Sequence, residues 1–346
     1  MIVKNEAHVI QRCLRSVRPF IDSYSISDTG STDDTMELIR MELAGLPGIL
    51  TSDPWQDFGT NRQIALNRSV GDYVLFIDAD ETLECNESIL HLPSGFDCFY
   101  LRVVQDNTEF WRPIIVRNDP MWRWVGTIHE TITFDGLPTG LKLEHCRIHT
   151  HNDSSRNQSG DKFLNDLAVL QTAPRTAQNT FYRAQSLRGL SRFEESLSLY
   201  EQVPSLGGRD DVAYHALHLA AKLRAYLPGE FHERVAAYFR AYIFRPHRMD
   251  ALVDLCLFLR ENGRVEQAYV LSNVEPRPTE DLSFLDRSAE WRILEEHGLA
   301  AYYLDKFEEA RVCFLRVAAH DLPVTDRQRT LDNLGYCDTK LGAGTM

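Results

Sequence analysis

No stretch of the chain approaches the ~20 consecutive apolar residues that a membrane-crossing helix needs. Its apolar runs are short, like YVLFI at 73–77, and this excludes an integral membrane protein built of helices. The opening decapeptide, MIVKNEAHVI, carries Lys4 and Glu6 and lacks the apolar core and small-residue cleavage site of a secretion signal, so the expected location is the cytoplasm. Cysteine is sparse. The seven (Cys13, Cys85, Cys98, Cys146, Cys256, Cys313 and Cys337) are odd in number, scattered and never spaced C-x-x-C. Neither a disulfide framework nor a zinc ribbon is expected, and most should be buried thiols. Basic residues are the minority, 37 against 50 acidic for a formal net charge of −13, which argues against nucleic acid as a partner. A Walker loop is missing, which disfavours a P-loop phosphotransferase, and so is the G-x-G-x-x-G turn of dinucleotide-binding folds.

What is present divides unevenly. Residues 1–155 hold 13 basic against 23 acidic side chains, net −10, while residues 156–346 hold 24 against 27, net −3. Length alone predicts two domains, here 1–155 and 156–346. In the first, short β-branched or aromatic runs at 1–3, 24–26, 48–50, 73–77, 98–104 and 113–117 alternate with helical stretches at 7–17, 32–43 and 59–69. Such alternation predicts an α/β domain with a Rossmann-like, mostly parallel sheet wrapped by helices, and functional loops after the carboxyl ends of the strands. Three residues make a short first strand, so the sequence reads as starting a few residues inside the natural strand.

Beyond 155 the pattern is helical throughout, and it repeats. Residues 181–203 overlay 297–323 with Phe193 on Phe307, Ser196 on Ala310 and Tyr200 on Phe314. Gly263, Val265 and Ala268 fall at matching offsets, as do Tyr238, Ala241 and Pro246. The pattern resembles tetratricopeptide repeats, an all-α array of paired helices meeting through small residues. The spacing is irregular, with Arg234 where a small residue is expected. A final capping helix is expected near Leu334-Gly335. Trp291, Tyr302, Tyr303, Phe307 and Phe314 recur at helical spacing and are read as core.

The sharpest chemical signal is YVLFIDADE at 73–81. A strand ending in Asp78-Ala79-Asp80 puts two carboxylates on one side of an extended chain, at the edge where such sheets bind ligands. Like charges so placed are reconciled by a divalent cation, and hard oxygen donors suit Mg²⁺ or Mn²⁺. DTGSTDDT at 28–35 follows another strand, with Gly30 in a tight turn and Ser31 or Thr32 capping a helix. Capping leaves Asp28 over, and its place suits reading a donor such as a uracil N–H. Asn5 and Glu6, after the first strand, complete the rim.

Taken in order, MIVKNE, DTGSTDDT, WQDFGTNRQIAL and YVLFIDADE resemble the nucleotide-sugar-binding half of family 2 glycosyltransferases with the GT-A fold, joined here to tetratricopeptide-like repeats. By that resemblance Asp28 and Arg62 contact the base, Asp78 the ribose or metal, and Asp80 the metal bridging the diphosphate. In MWRWVGTIHET at 121–131, Trp122 and Trp124 are placed to stack on a sugar, and Glu130 leads as general base, with Asp106 and Asp135 in reserve. In RIHTHND at 147–153, His149 or His151, with His145 nearby, offers a further metal ligand, and Lys162 a phosphate contact. The expected activity is metal-dependent, inverting transfer of a sugar from a nucleotide-sugar donor, a UDP-sugar first, to a peptide, protein or glycan acceptor. The repeats could hold that acceptor or form a homodimer. The alternatives are an interaction protein with a non-catalytic front domain and a sugar nucleotidyltransferase.

Overall fold

The computed structural model of the chain describes residues 1–86, 92–105, 108–158, 160–276 and 288–343. Residues Met1–Arg175 form the body of one compact unit, and residues from Thr176 onward almost all of the other. The first unit runs twenty residues past the expected break at 155 because α4 (Ser155–Gln158) and α5 (Lys162–Thr172) belong to it.

Three parallel strands, β1 (Ile2–Val3), β2 (Tyr24–Asp28) and β3 (Gly48–Ser52), form a small sheet in that order. Val3 lies opposite Asp28 and Asp28 opposite Ser52, which brings Asn5, Asp28 and Asp53 to one edge. Helix α1 (Ile10–Val17) buries Ile10, Cys13, Leu14 and Val17, the stripe of an amphipathic helix. With Ile26, and with Ile39 of α2 (Thr35–Glu42), its Ile10 and Leu14 make one core. A second sheet orders β4 (Tyr73–Leu75), β7 (Thr108–Arg117), β6 (Cys98–Gln105), β10 (Gly140–Thr150) and β5 (Glu81–Cys85). Here only β6 and β10 run parallel, so the unit is α/β with mixed strand directions. Helix α3 (Phe58–Asn67) and the hairpin of β8 (Trp122–Val125) and β9 (Thr131–Phe134) complete it.

One expectation about cysteine is corrected. Cys85 and Cys146 face each other across β5 and β10 and are joined as a disulfide, a pairing invisible in a separation of 61 residues. The other five are free and buried, as expected.

The second unit is helical: α6 (Ala177–Gly189), α7 (Phe193–Gln202), α8 (Asp210–Tyr226), α9 (Phe231–Phe244), α10 (Asp250–Glu261), α11 (Val265–Ser272), α12 (Ser288–Tyr303), α13 (Phe307–Ala318) and α14 (Val324–Ala343). The overlaid residues occupy equivalent places. Ser196, Ala268 and Ala310 are each the fourth residue of a helix and fully buried, and Tyr200 and Phe314 are buried one turn on. Arg234 does stand at that crossing in α9, and its guanidinium turns back to donate to the carbonyl of Leu227 at 2.9 Å. At Gly298, where α12 meets α13, a Cβ would lie 3.0 Å from Phe314 and 3.1 Å from Cys313, a tight contact. Of the aromatic residues read as core, Trp291 and Phe314 are buried, whereas Tyr303 is 60% exposed.

Candidate functional site

The loop after β2 is built by Asp28 and Asn5, which read as ligand contacts in the sequence, and by Asp33. Asp28, buried to 2% exposure, accepts at Oδ2 from the amides of Gly30 (3.1 Å) and Ser31 (3.0 Å). Gly30 sits at φ +108°, a left-handed conformation glycine adopts freely. Asn5, itself left-handed at φ 57°, accepts from the Thr32 amide at 2.7 Å. Asp33 accepts from the amides of Ala7 and Thr35, both at 3.1 Å. Asn5 therefore holds the loop together. Asp28 keeps one acceptor over, since Oδ1 is buried with no partner among the described residues, a costly state unless a donor meets it.

The Asp78-Ala79-Asp80 turn leaves the sheet after β4 and enters β5. It is held from beneath and from the side. Cys13 Sγ donates to the Asp78 carbonyl at 3.2 Å, and the His151 amide to the Asp80 carbonyl at 3.0 Å. Glu81, which sequence reasoning passed over although it closes YVLFIDADE, accepts at Oε2 from the Asp78 amide at 2.9 Å and pairs with Arg112 at 2.9 Å. Burial pushes the Glu81 carboxyl up, against the pull of Arg112.

Arg62 of α3 links the turn to the loop before β9. It donates to Asp78 Oδ1 at 2.7 Å and through Nε to Glu130, while its guanidinium lies 5.1 Å from the Trp124 ring centre. Burial opposes ionisation of Asp78, and Arg62 and Arg112 outweigh it, holding the carboxyl below its ordinary range. Glu130 is thus engaged in a buried ion pair, its side chain 8% exposed. The approach that makes this possible is Gly59, where a Cβ would stand 2.6 Å from the carbonyl oxygen of Gly126. Trp122 is not at a ligand face; it is 2% exposed and packs on Phe134 at 4.9 Å.

The carboxylate of Asp80, a residue 7% exposed, receives among the described residues one long hydrogen bond, from Asn157 Nδ2 at 3.5 Å. Lys162 Nζ donates to Asn157 Oδ1 at 2.6 Å, two bonds of a relay that ends on Asp80. Burial and Arg156 hold the Lys162 amine below its usual value. Glu6 accepts from the Ser155 amide at 3.2 Å, and burial, with Asp80 nearby, raises its carboxyl to about 7.

The histidines are engaged elsewhere. His149 Nε2 meets Glu84 at 2.7 Å and His151 Nε2 meets Thr82 Oγ1 at 2.9 Å. Among the described residues, Asp78, Asp80, His149 and His151 are not gathered with ligand atoms within 4.8 Å of one another; the three residues that are, Cys85, His145 and Cys146, have both sulfurs spent in the disulfide. Asp106 lies outside the described residues, and Asp135 is exposed beyond β9. The donors of the turn itself, two carboxylates of which that of Asp80 accepts one long hydrogen bond, are of the hard oxygen type a divalent cation takes.

The sequence profile described as Glycosyl transferase family 2 matches residues 1–91. The glycosyltransferase SunS of Bacillus subtilis is 24% identical over 280 residues, covering 80% of this chain and 61% of that protein. A TPR repeat-containing protein of Synechococcus elongatus is 40% identical over 83 residues, 24% of this chain and 20% of its own length. Among solved structures, S. aureus TarS 1–349 in complex with UDP-GlcNAc aligns with TM-score 0.34 at 13% identity, over 82% of this chain and 94% of that one. Residues 1–91 thus match the family 2 glycosyltransferase model, and the chain joins that segment to an all-helical unit. The chain spans less than two thirds of the length of either sequence relative.

Proposed function

We propose that the protein is a glycosyltransferase that moves a sugar from a nucleotide-sugar donor, a UDP-sugar first, to a peptide, protein or glycan acceptor. The observation that carries this is a buried aspartate with a spare acceptor at the end of β2, Asp28 Oδ1, together with a two-carboxylate turn, Asp78 and Asp80, whose Ala79 packs in the same core as Val3 and Ile26. In this account Asp28 accepts a base N–H, and Arg62 lies against the base or the phosphates. Asp78 and Asp80 hold the cation, and Lys162 reaches the diphosphate from the far side of Asn157. A bound Mg²⁺ or Mn²⁺ neutralises the diphosphate and makes it a better leaving group. Glu130, once released from Arg62, takes the proton of the acceptor nucleophile. That nucleophile forms its bond to the anomeric carbon as the bond to the nucleoside diphosphate breaks, in one displacement with inversion.

The test is a panel of nucleotide sugars with Mn²⁺ or Mg²⁺, following release of nucleoside diphosphate. Release from a UDP-sugar, abolished by chelation, is expected. A chain that binds none of the panel with metal present is instead an interaction protein. Release of pyrophosphate from a nucleoside triphosphate and a sugar phosphate makes it a nucleotidyltransferase.

A further inference from the structure

Two carboxylates on different elements share one guanidinium. Asp78 comes from the turn after β4 and Glu130 from the loop before β9, and Arg62 of α3 bonds to both. Arg62 is clamped there: its side chain is 13% exposed, it lies over Trp124, and α3 is pressed against Gly126 at Gly59. The hydrogen bond occupies Asp78 Oδ1, one of the two oxygens a cation held by that carboxylate could take.

We infer that Arg62 is an internal counter-ion that keeps the free site from binding a divalent cation alone. The cation and Arg62 compete for Asp78, and two positive charges a few ångströms apart in a half-buried site repel strongly. A nucleoside diphosphate changes the balance, because its charge accommodates both. Arg62 then turns from Asp78 toward the diphosphate, and Glu130 loses its partner at the moment the acceptor needs a base. Cation entry, donor binding and release of Glu130 are thereby one event. The reading of the site as a nucleoside diphosphate site underlies this, but the competition itself concerns only the cation and three residues.

The experiment titrates Mn²⁺ alone, by electron paramagnetic resonance of the free ion, into the wild-type chain, Arg62→Gln and Glu130→Gln. Arg62→Gln should bind Mn²⁺ roughly tenfold tighter than the wild type, since it removes a unit charge at close range. Glu130→Gln should bind it roughly threefold more weakly, because Arg62 then pairs with Asp78 alone. Equal or weaker Mn²⁺ binding by folded Arg62→Gln overturns the proposal. If that variant fails to fold, unchanged or tighter Mn²⁺ binding by Glu130→Gln does so. Absence of UDP binding by the wild type with Mn²⁺ would count against the glycosyltransferase reading, while the order of the Mn²⁺ affinities still decides the role of Arg62.

Discussion

The main-chain amide of His151 donates to the carbonyl of Asp80 at 3.0 Å, so the end of β10 fixes the turn that carries the candidate cation ligands. The His151 imidazole turns away to Thr82. His151→Ala leaves that amide in place, and Mn²⁺-dependent donor affinity should therefore stay within about threefold of wild type. A loss of tenfold or more in calorimetry would make the imidazole a ligand.

Gly59→Ala should damage the site without touching a ligand. The new methyl meets the Gly126 carbonyl at 2.6 Å, a backbone atom that cannot swing aside. Forcing α3 and the 126–130 loop apart costs about 1–3 kcal/mol and separates Arg62 from Glu130. Denaturant unfolding checks the first, and donor affinity, expected to fall, the second; unaltered values for both exclude the close approach.

Glu6 makes stability depend on pH. Its carboxyl is raised from 4.5 to about 7 in the folded chain, chiefly by burial. The stabilisation from the neutral acid is complete below pH 4.5 and is lost as pH rises through 7. Glu6→Gln, which stays neutral, should match wild type at acid pH and exceed it by about 1–3 kcal/mol above pH 7.5. Parallel stability curves for the two chains across that window would show that Glu6 is not perturbed.

In the repeats, Phe314→Ala empties a fully buried position between α12 and α13. The expected loss is about 3–5 kcal/mol, read as a lower denaturant midpoint of the helical unit. A loss under about 1 kcal/mol would mean that the helix pairing there is wrong.

Much of this was legible because it is local. The apolar stripe of α1, the Asp28 and Asp78-Ala79-Asp80 strand ends, and the fourth-residue crossing positions Ser196, Ala268 and Ala310 follow from short-range periodicity. The partners were not legible. The Arg62 link to Glu130 spans 68 residues and the Cys85–Cys146 pairing 61, and neither distance leaves a mark in the intervening sequence. Trp122 and Trp124 read alike, yet one is sealed in the core and the other carries a guanidinium, a difference set by tertiary packing alone. Asn5 shows the converse: a polar residue on the right edge, spent on holding a loop.

The central claim is that the acidic edge holds a nucleotide-sugar donor through a divalent cation. Calorimetric titration of a UDP-sugar in the presence of Mn²⁺, into wild type and Asp80→Asn, tests it most directly. Among the described residues the Asp80 carboxylate accepts one long hydrogen bond, so the substitution should leave the fold intact while weakening donor binding by at least roughly tenfold, the scale of losing one charged ligand. Equal donor affinity in the two chains, with Mn²⁺ present, would contradict it.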